Sequence, residues 1–122
     1  MLPVPNFSHA VLAPENGRLL FISGLTARNA TGEIVGIGEP EVQVRQIMMQ
    51  MQAIIENSGG SLDDVMQLRT YSTSIDFWPA VEAVWRNLWG SVWPTSTFVE
   101  ISKLHDPKQL IEIEAVVVLP PR

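Results

Sequence analysis

Between Pro40 and Gly59 apolar residues recur every three or four positions, at Val44, Ile47, Met48, Met51, Ile54 and Ile55. That spacing lays one stripe along an α-helix. Pro40, whose fixed φ suits a first helical turn, opens it, and Gly59-Gly60 ends it. A second stripe, Trp78, Val81, Trp85 and Leu88, predicts another amphipathic helix, with Asp76 as its N-cap and Pro79 in its first turn. The remaining runs are short. Residues 8–13 and 18–23 are two apolar-rich segments separated by Pro14-Glu15-Asn16-Gly17, and Asn-Gly between such segments predicts a β-hairpin. Residues 65–74, with Leu68, Thr70, Tyr71 and Thr73, favour a strand. Two more strands are expected at 95–102 and 110–119, joined by a turn containing His105-Asp106-Pro107. Residues 26–38, with three glycines around a polar centre, read as an ordered surface excursion.

The order β-β-α-β-α-β-β in one short chain predicts an α+β domain: a single sheet covered on one face by two helices. The other face, rich in Val, Ile and Phe, must then be covered as well. Apolar patches of that size mark association surfaces, so the pattern points to an oligomer.

With 122 residues, 46% of them hydrophobic, the chain suits one domain spanning 1–122 and one modest core. A formal charge of −5, with its eight cations scattered, argues against nucleic-acid binding, which needs clustered Lys and Arg. The absence of cysteine excludes disulfides, thiol catalysis and thiolate metal sites. Two isolated histidines do not make a metal site, and no motif calls for a cofactor. No apolar run approaches the roughly 20 residues that span a membrane, and the N-terminus lacks a cationic segment ahead of a long apolar stretch. A soluble cytoplasmic protein is the expectation.

On a strand over 110–119, Glu112 and Glu114 project to the same side, about 7 Å apart, while Ile111, Ile113 and Ala115 take the other. Two such carboxylates fit a solvated or interfacial strand face as readily as a catalytic pair. Trp78, Trp85, Trp89, Trp93 and Phe98 concentrate large aromatics around the second helix and the loop after it. They fit core or subunit contacts, and Trp93 and Phe98, which bracket Ser96, also fit the wall of a pocket for a flat ligand.

Several segments together resemble the Rid family, also called the YjgF or endoribonuclease L-PSP family. They are Phe7-Ser8-His9-Ala10-Val11, Leu20-Phe21-Ile22-Ser23-Gly24, Asn29-Ala30-Thr31-Gly32-Glu33-Ile34-Val35, Pro94-Thr95-Ser96-Thr97-Phe98-Val99 and Leu110-Ile111-Glu112-Ile113-Glu114-Ala115-Val116. The resemblance spans almost the whole chain. It implies a homotrimer of chorismate-mutase-like subunits, sheets facing inward, with a small-molecule pocket at each subunit interface. It implies an enamine or imine deaminase in which Glu112 holds and activates the hydrolytic water as general base. Ser23 and Gly24 fall where main-chain groups approach substrate and water, a role to be set against that of a simple bulge or strand end. Ser96, Thr97 and Phe98 occupy the substrate-binding strand.

Three positions depart from the family pattern. Ser96 stands where an arginine normally grips the substrate carboxylate, and a hydroxyl offers one donor and no charge in place of a planar cationic fork. Phe7 stands at a frequent tyrosine and Glu82 at a frequent asparagine; the residue-level reading of Glu82 is an exposed helical carboxylate. These departures imply an atypical substrate. The competing reading is a non-catalytic trimer that kept the pocket to bind or sense a small molecule.

Overall fold

The computed structural model describes residues 7–90 and 92–122. Its elements follow in chain order as β1 (Arg18–Leu25), α1 (Pro40–Asn57), β2 (Val65–Ser72), α2 (Trp78–Leu88), β3 (Thr95–Glu100) and β4 (Ile111–Leu119). The four strands form one mixed sheet in the order β1-β4-β2-β3. β4 runs antiparallel to both neighbours, and β3 lies parallel to β2 across the α2 crossover. The chain is thus the α+β single-sheet domain that the apolar pattern predicts.

Alternation along β4 separates the two faces of the sheet. Ile111, Ile113, Ala115 and Val117 are buried against the helices with Leu68 of β2 and Ile22 of β1. From the helices, Val44, Ile47, Met48, Met51 and Ile55 of α1 and Val81, Val84 and Trp85 of α2 complete this core. Ile54, counted with the α1 stripe in sequence, sits at the edge of the buried face and is 38% exposed, while Gln43, polar in sequence, is fully buried near the start of the helix. The Gln43 amide is satisfied there: it donates to the carbonyls of Gly36 and Lys108 and accepts from Leu110 N–H. Gln46 and Gln50 on the same helix bond the backbone of Arg28 and Thr26. Three side-chain amides therefore hold the 26–38 excursion against α1, replacing the water its backbone would otherwise need.

Two expectations are corrected. Asp76 does not cap α2: a 3-10 turn, Ile75–Phe77, precedes that helix, and Ser74 caps the turn by accepting from Asp76 N–H. The strand expected at 8–13 is reduced to one parallel bridge, Ser8 to Thr95, and no hairpin with β1 forms. Gly17 N–H does reach Pro14 O, so residues 14–17 turn. Of the two central residues, however, only Asn16 has positive φ, 61°. A turn with one left-handed residue at its third position splays the flanking segments, whereas a tight hairpin needs the opposite twist. Leu12 is accordingly 96% exposed. No described helix is long and apolar enough to cross a membrane.

Candidate functional site

The sheet face turned away from the helices carries three rows of side chains, fixed by strand register. Thr95, Gln67, Val116 and Phe21 form the first row. Thr97, Arg69 and Glu114 form the second, and Val99, Tyr71 and Glu112 the third. The bulge in β1 brings Ser23 and Gly24 beside the Glu114 and Glu112 ends of these rows. Between Ile22, opposite Ala115, and Leu25, opposite Ile113, β1 spends one residue more than β4.

Gly24 lets the Glu112 side chain lie close; any Cβ here would push that side chain aside. A Cβ at this position would lie 2.4 Å from Glu112 Oε2 and 2.9 Å from its Cγ, so the Glu112 side chain lies directly across the glycine backbone. The bulge thus has two consequences: it leaves Ser23 and Gly24 exposed, and it seats a half-buried carboxylate over main chain. Tyr71, cross-strand from Glu112, turns its phenol to Glu114 and donates to Oε1. This hydrogen bond, followed by burial and the carboxylate charges, raises the Tyr71 pKa above its usual value; Arg69 pulls it the other way. With Glu114 engaged by Tyr71, Glu112 makes no hydrogen bond or ion pair among the described residues, leaving its oxygens able to accept from water.

A cleft of about 390 Å³ opens beside this pair, lined by Phe21, Ser23, Gln67, Arg69, Glu114 and Val116 among others. Its size falls within the range of small-molecule sites. Gln67 and Tyr71 were absent from the sequence-based site, and Arg69, like Arg28 a candidate substitute for the missing arginine, could not be placed relative to it. The signal for them was alternation: once Leu68 and Thr70 point to the core, residues 67, 69 and 71 must share the face of Glu112.

The remaining candidates lie elsewhere. Ser96 pairs with buried Leu68, and Phe98 with buried Thr70, so both side chains sit on the helix side of the sheet. Phe98 meets Trp78 edge to face at 5.2 Å. Trp93 is in the core, its indole N–H donating to Gly90 O. Phe7 is half-buried, its ring edge-on to His9 at 5.6 Å, next to the Ser8 backbone that donates to Pro94 O. Glu82 forms an ion pair with Arg86 one turn along α2, at 2.9 Å. Of the β3 candidates only Thr97 shares the face of Glu112. Ser96 is two strands from Glu112, about 10 Å across the sheet, and on its other side. Within one chain, Glu112 with Gly24 and Ser96 with Phe98 therefore form separate groups. Among the described residues, no three His, Asp or Glu side chains converge as a metal site requires.

Comparison with known proteins agrees with this architecture. The family model described as Endoribonuclease L-PSP matches residues 1–119. The "RutC family protein PH0854" of Pyrococcus horikoshii is 36% identical over 93% of this chain and 87% of its own length. A "2-iminobutanoate/2-iminopropanoate deaminase" of Dermatophagoides farinae is 26% identical over 96% of this chain and 88% of its own. Among solved structures, a Rid-family protein of unknown function from Yersinia pestis superposes with a TM-score of 0.84 at 34% identity, covering 93% of this chain and 87% of the other. The chain belongs to the Rid family, the Endoribonuclease L-PSP family of that matching model.

Proposed function

We propose that this protein is a deaminase-type hydrolase of a small imine or enamine, acting in pockets formed between the subunits of a homotrimer. The observation that carries this reading is Glu112, whose carboxylate lies across the Gly24 backbone at the β1 bulge with no protein partner among the described residues. A water held between Glu112 and the exposed main chain of residues 23–24 is positioned for general-base catalysis. An enamine first takes a proton on carbon to become the iminium. Water oxygen then bonds to the iminium carbon as Glu112 accepts one of the water protons. That proton passes to nitrogen, the C–N bond breaks with its electron pair on nitrogen, and ammonia leaves. The hydroxyl loses its remaining proton to give the carbonyl.

The separation of Ser96 and Glu112 onto opposite faces supports a pocket completed by a second chain. So does the open face itself, where Leu19 is 64% and Phe21 72% exposed. Because Ser96 is uncharged, a 2-imino acid held at that strand would lack a charge-assisted hydrogen bond that contributes about 1.5 to 3 kcal/mol, roughly tenfold to more than hundredfold in binding. Recognition of substrate at the β3 strand is therefore atypical.

The test follows ammonia release from freshly generated 2-aminoacrylate by the wild type, Ser96→Arg and Glu112→Gln. Glu112→Gln is expected to lose about 10²-fold or more in rate, and Ser96→Arg to gain on this substrate. Turnover unaffected by Glu112→Gln would reject the proposed base. Ligand binding without turnover in any variant would assign the protein to the second class, a trimer that captures a small molecule.

A further inference from the structure

Arg69 is the one cation lining the cleft on the Glu112 face, and its guanidinium has no ion pair or hydrogen bond among the described residues. Its direct cross-strand partner is Glu114, yet Glu114 accepts from the Tyr71 phenol instead. The guanidinium is exposed, and in a concave site its five donors can exchange water for a carboxylate, which the fork binds in a bidentate manner. The surrounding residues refine the ligand. Ser23 adds a hydroxyl and Gln67 an amide, Phe21 and Val116 supply an apolar wall, and Glu114 supplies a negative charge at the other side of Arg69.

One cation, one anion and an apolar wall in a cleft of about 390 Å³ match a small zwitterion carrying an apolar substituent. Arg69 is also a diagonal neighbour of Glu112 across β2 and β4, because Tyr71, two residues along β2, faces Glu112 directly. Diagonal partners are rooted about 7 to 8 Å apart on the sheet, close enough for one molecule of amino-acid size to meet Arg69 with its carboxylate and a water held by Glu112 with its nitrogen-bearing carbon.

We propose that Arg69 is the carboxylate-binding residue of this protein, and that the cleft takes a small 2-iminium carboxylate: carboxylate on Arg69, nitrogen toward Glu114, apolar side chain on Phe21 and Val116. This rests on the deaminase reading, and it assigns the anion-binding role to β2 on the open face instead of to the β3 position occupied by Ser96.

Binding and turnover separate the two ideas. Wild type, Arg69→Gln and Arg69→Lys are titrated by NMR with 2-oxobutanoate, a stable carboxylate of product type, and with 2-butanone, which lacks the carboxylate. The wild type is expected to bind the oxoacid and not the ketone, Arg69→Gln to weaken oxoacid binding at least tenfold, and Arg69→Lys to retain most of it. In turnover, the Arg69→Gln defect should appear chiefly in KM, that of Glu112→Gln chiefly in kcat. No oxoacid binding by wild type, equal binding of ketone and oxoacid, or an unchanged affinity in Arg69→Gln would overturn the assignment. Turnover that depends on Glu112 with an unchanged KM in Arg69→Gln would overturn it while leaving the deaminase reading standing. Arg69-dependent oxoacid binding in a protein without turnover would support the subsite and reject the hydrolytic reading instead.

Discussion

A single phenol divides the labour of two carboxylates spaced two residues apart. Tyr71 donates its hydrogen bond to Glu114 and so leaves Glu112, its own cross-strand partner, without a protein donor among the described residues. Because the folded pKa of Tyr71 is raised, its contribution to stability is fully present below the unfolded value near 10 and is lost as pH climbs through the folded value. Tyr71→Phe should therefore cost about 1 kcal/mol at neutral pH, modest because the pair is partly solvated. Urea midpoints of the two proteins measured from pH 7 upward should converge above about pH 10; a constant gap would mean that packing, and not the hydrogen bond, carries the difference. Residue-scale chemistry was the least legible from sequence. Glu112 and Gly24 could be named because each belongs to a recognisable segment, whereas Arg69 and Tyr71 acquire meaning only from the strand register that sets them opposite Glu114 and Glu112.

Elements were legible wherever burial imposes a period. Both helices and four of the five expected strands follow from apolar spacing, since one face of each packs on a common core. The failures lie where a local interaction outcompeted the pattern: a turn of the wrong hand at Asn16 removed the first strand, and a 3-10 turn capped by Ser74 took up Asp76, the residue expected to cap α2. Gln43 escaped notice because a buried amide looks polar in any periodicity count, yet it joins α1 to two loops through Gly36, Lys108 and Leu110. Gln43→Ala leaves the Lys108 carbonyl and the Leu110 N–H without their partner, Gly36 O keeping its bond from Glu39 N–H, and is expected to destabilise the fold by about 2 to 4 kcal/mol. Chemical denaturation checks this value, and hydrogen exchange at Leu110 should accelerate in the same variant.

At the scale of the molecule, a sheet with helices on one side only leaves Leu19 and Phe21 as solvent-facing apolar surface. If this surface is the subunit contact, Leu19→Glu, outside the cleft, should convert an assembly of about three 13.6 kDa protomers into monomers, as read by sedimentation, and should reduce turnover in parallel. An unchanged mass would move the interface elsewhere. The uncovered face was legible in the sequence; which residues would meet a second chain was not, because periodicity describes one chain at a time. The β1 bulge also constrains how this molecule can diverge. Ile22 and Leu25 both reach the core although three positions apart, because the bulge absorbs the extra residue; a regular strand of the same length would turn Leu25 outward, and deleting one residue would keep Leu25 inward but remove the exposed 23–24 main chain beneath Glu112. Side chains around the cleft are free to be exchanged as substrates change, but the number of residues between Ile22 and Leu25 is not. Descendants of this chain can vary its specificity by substitution there, and insertions or deletions must fall elsewhere.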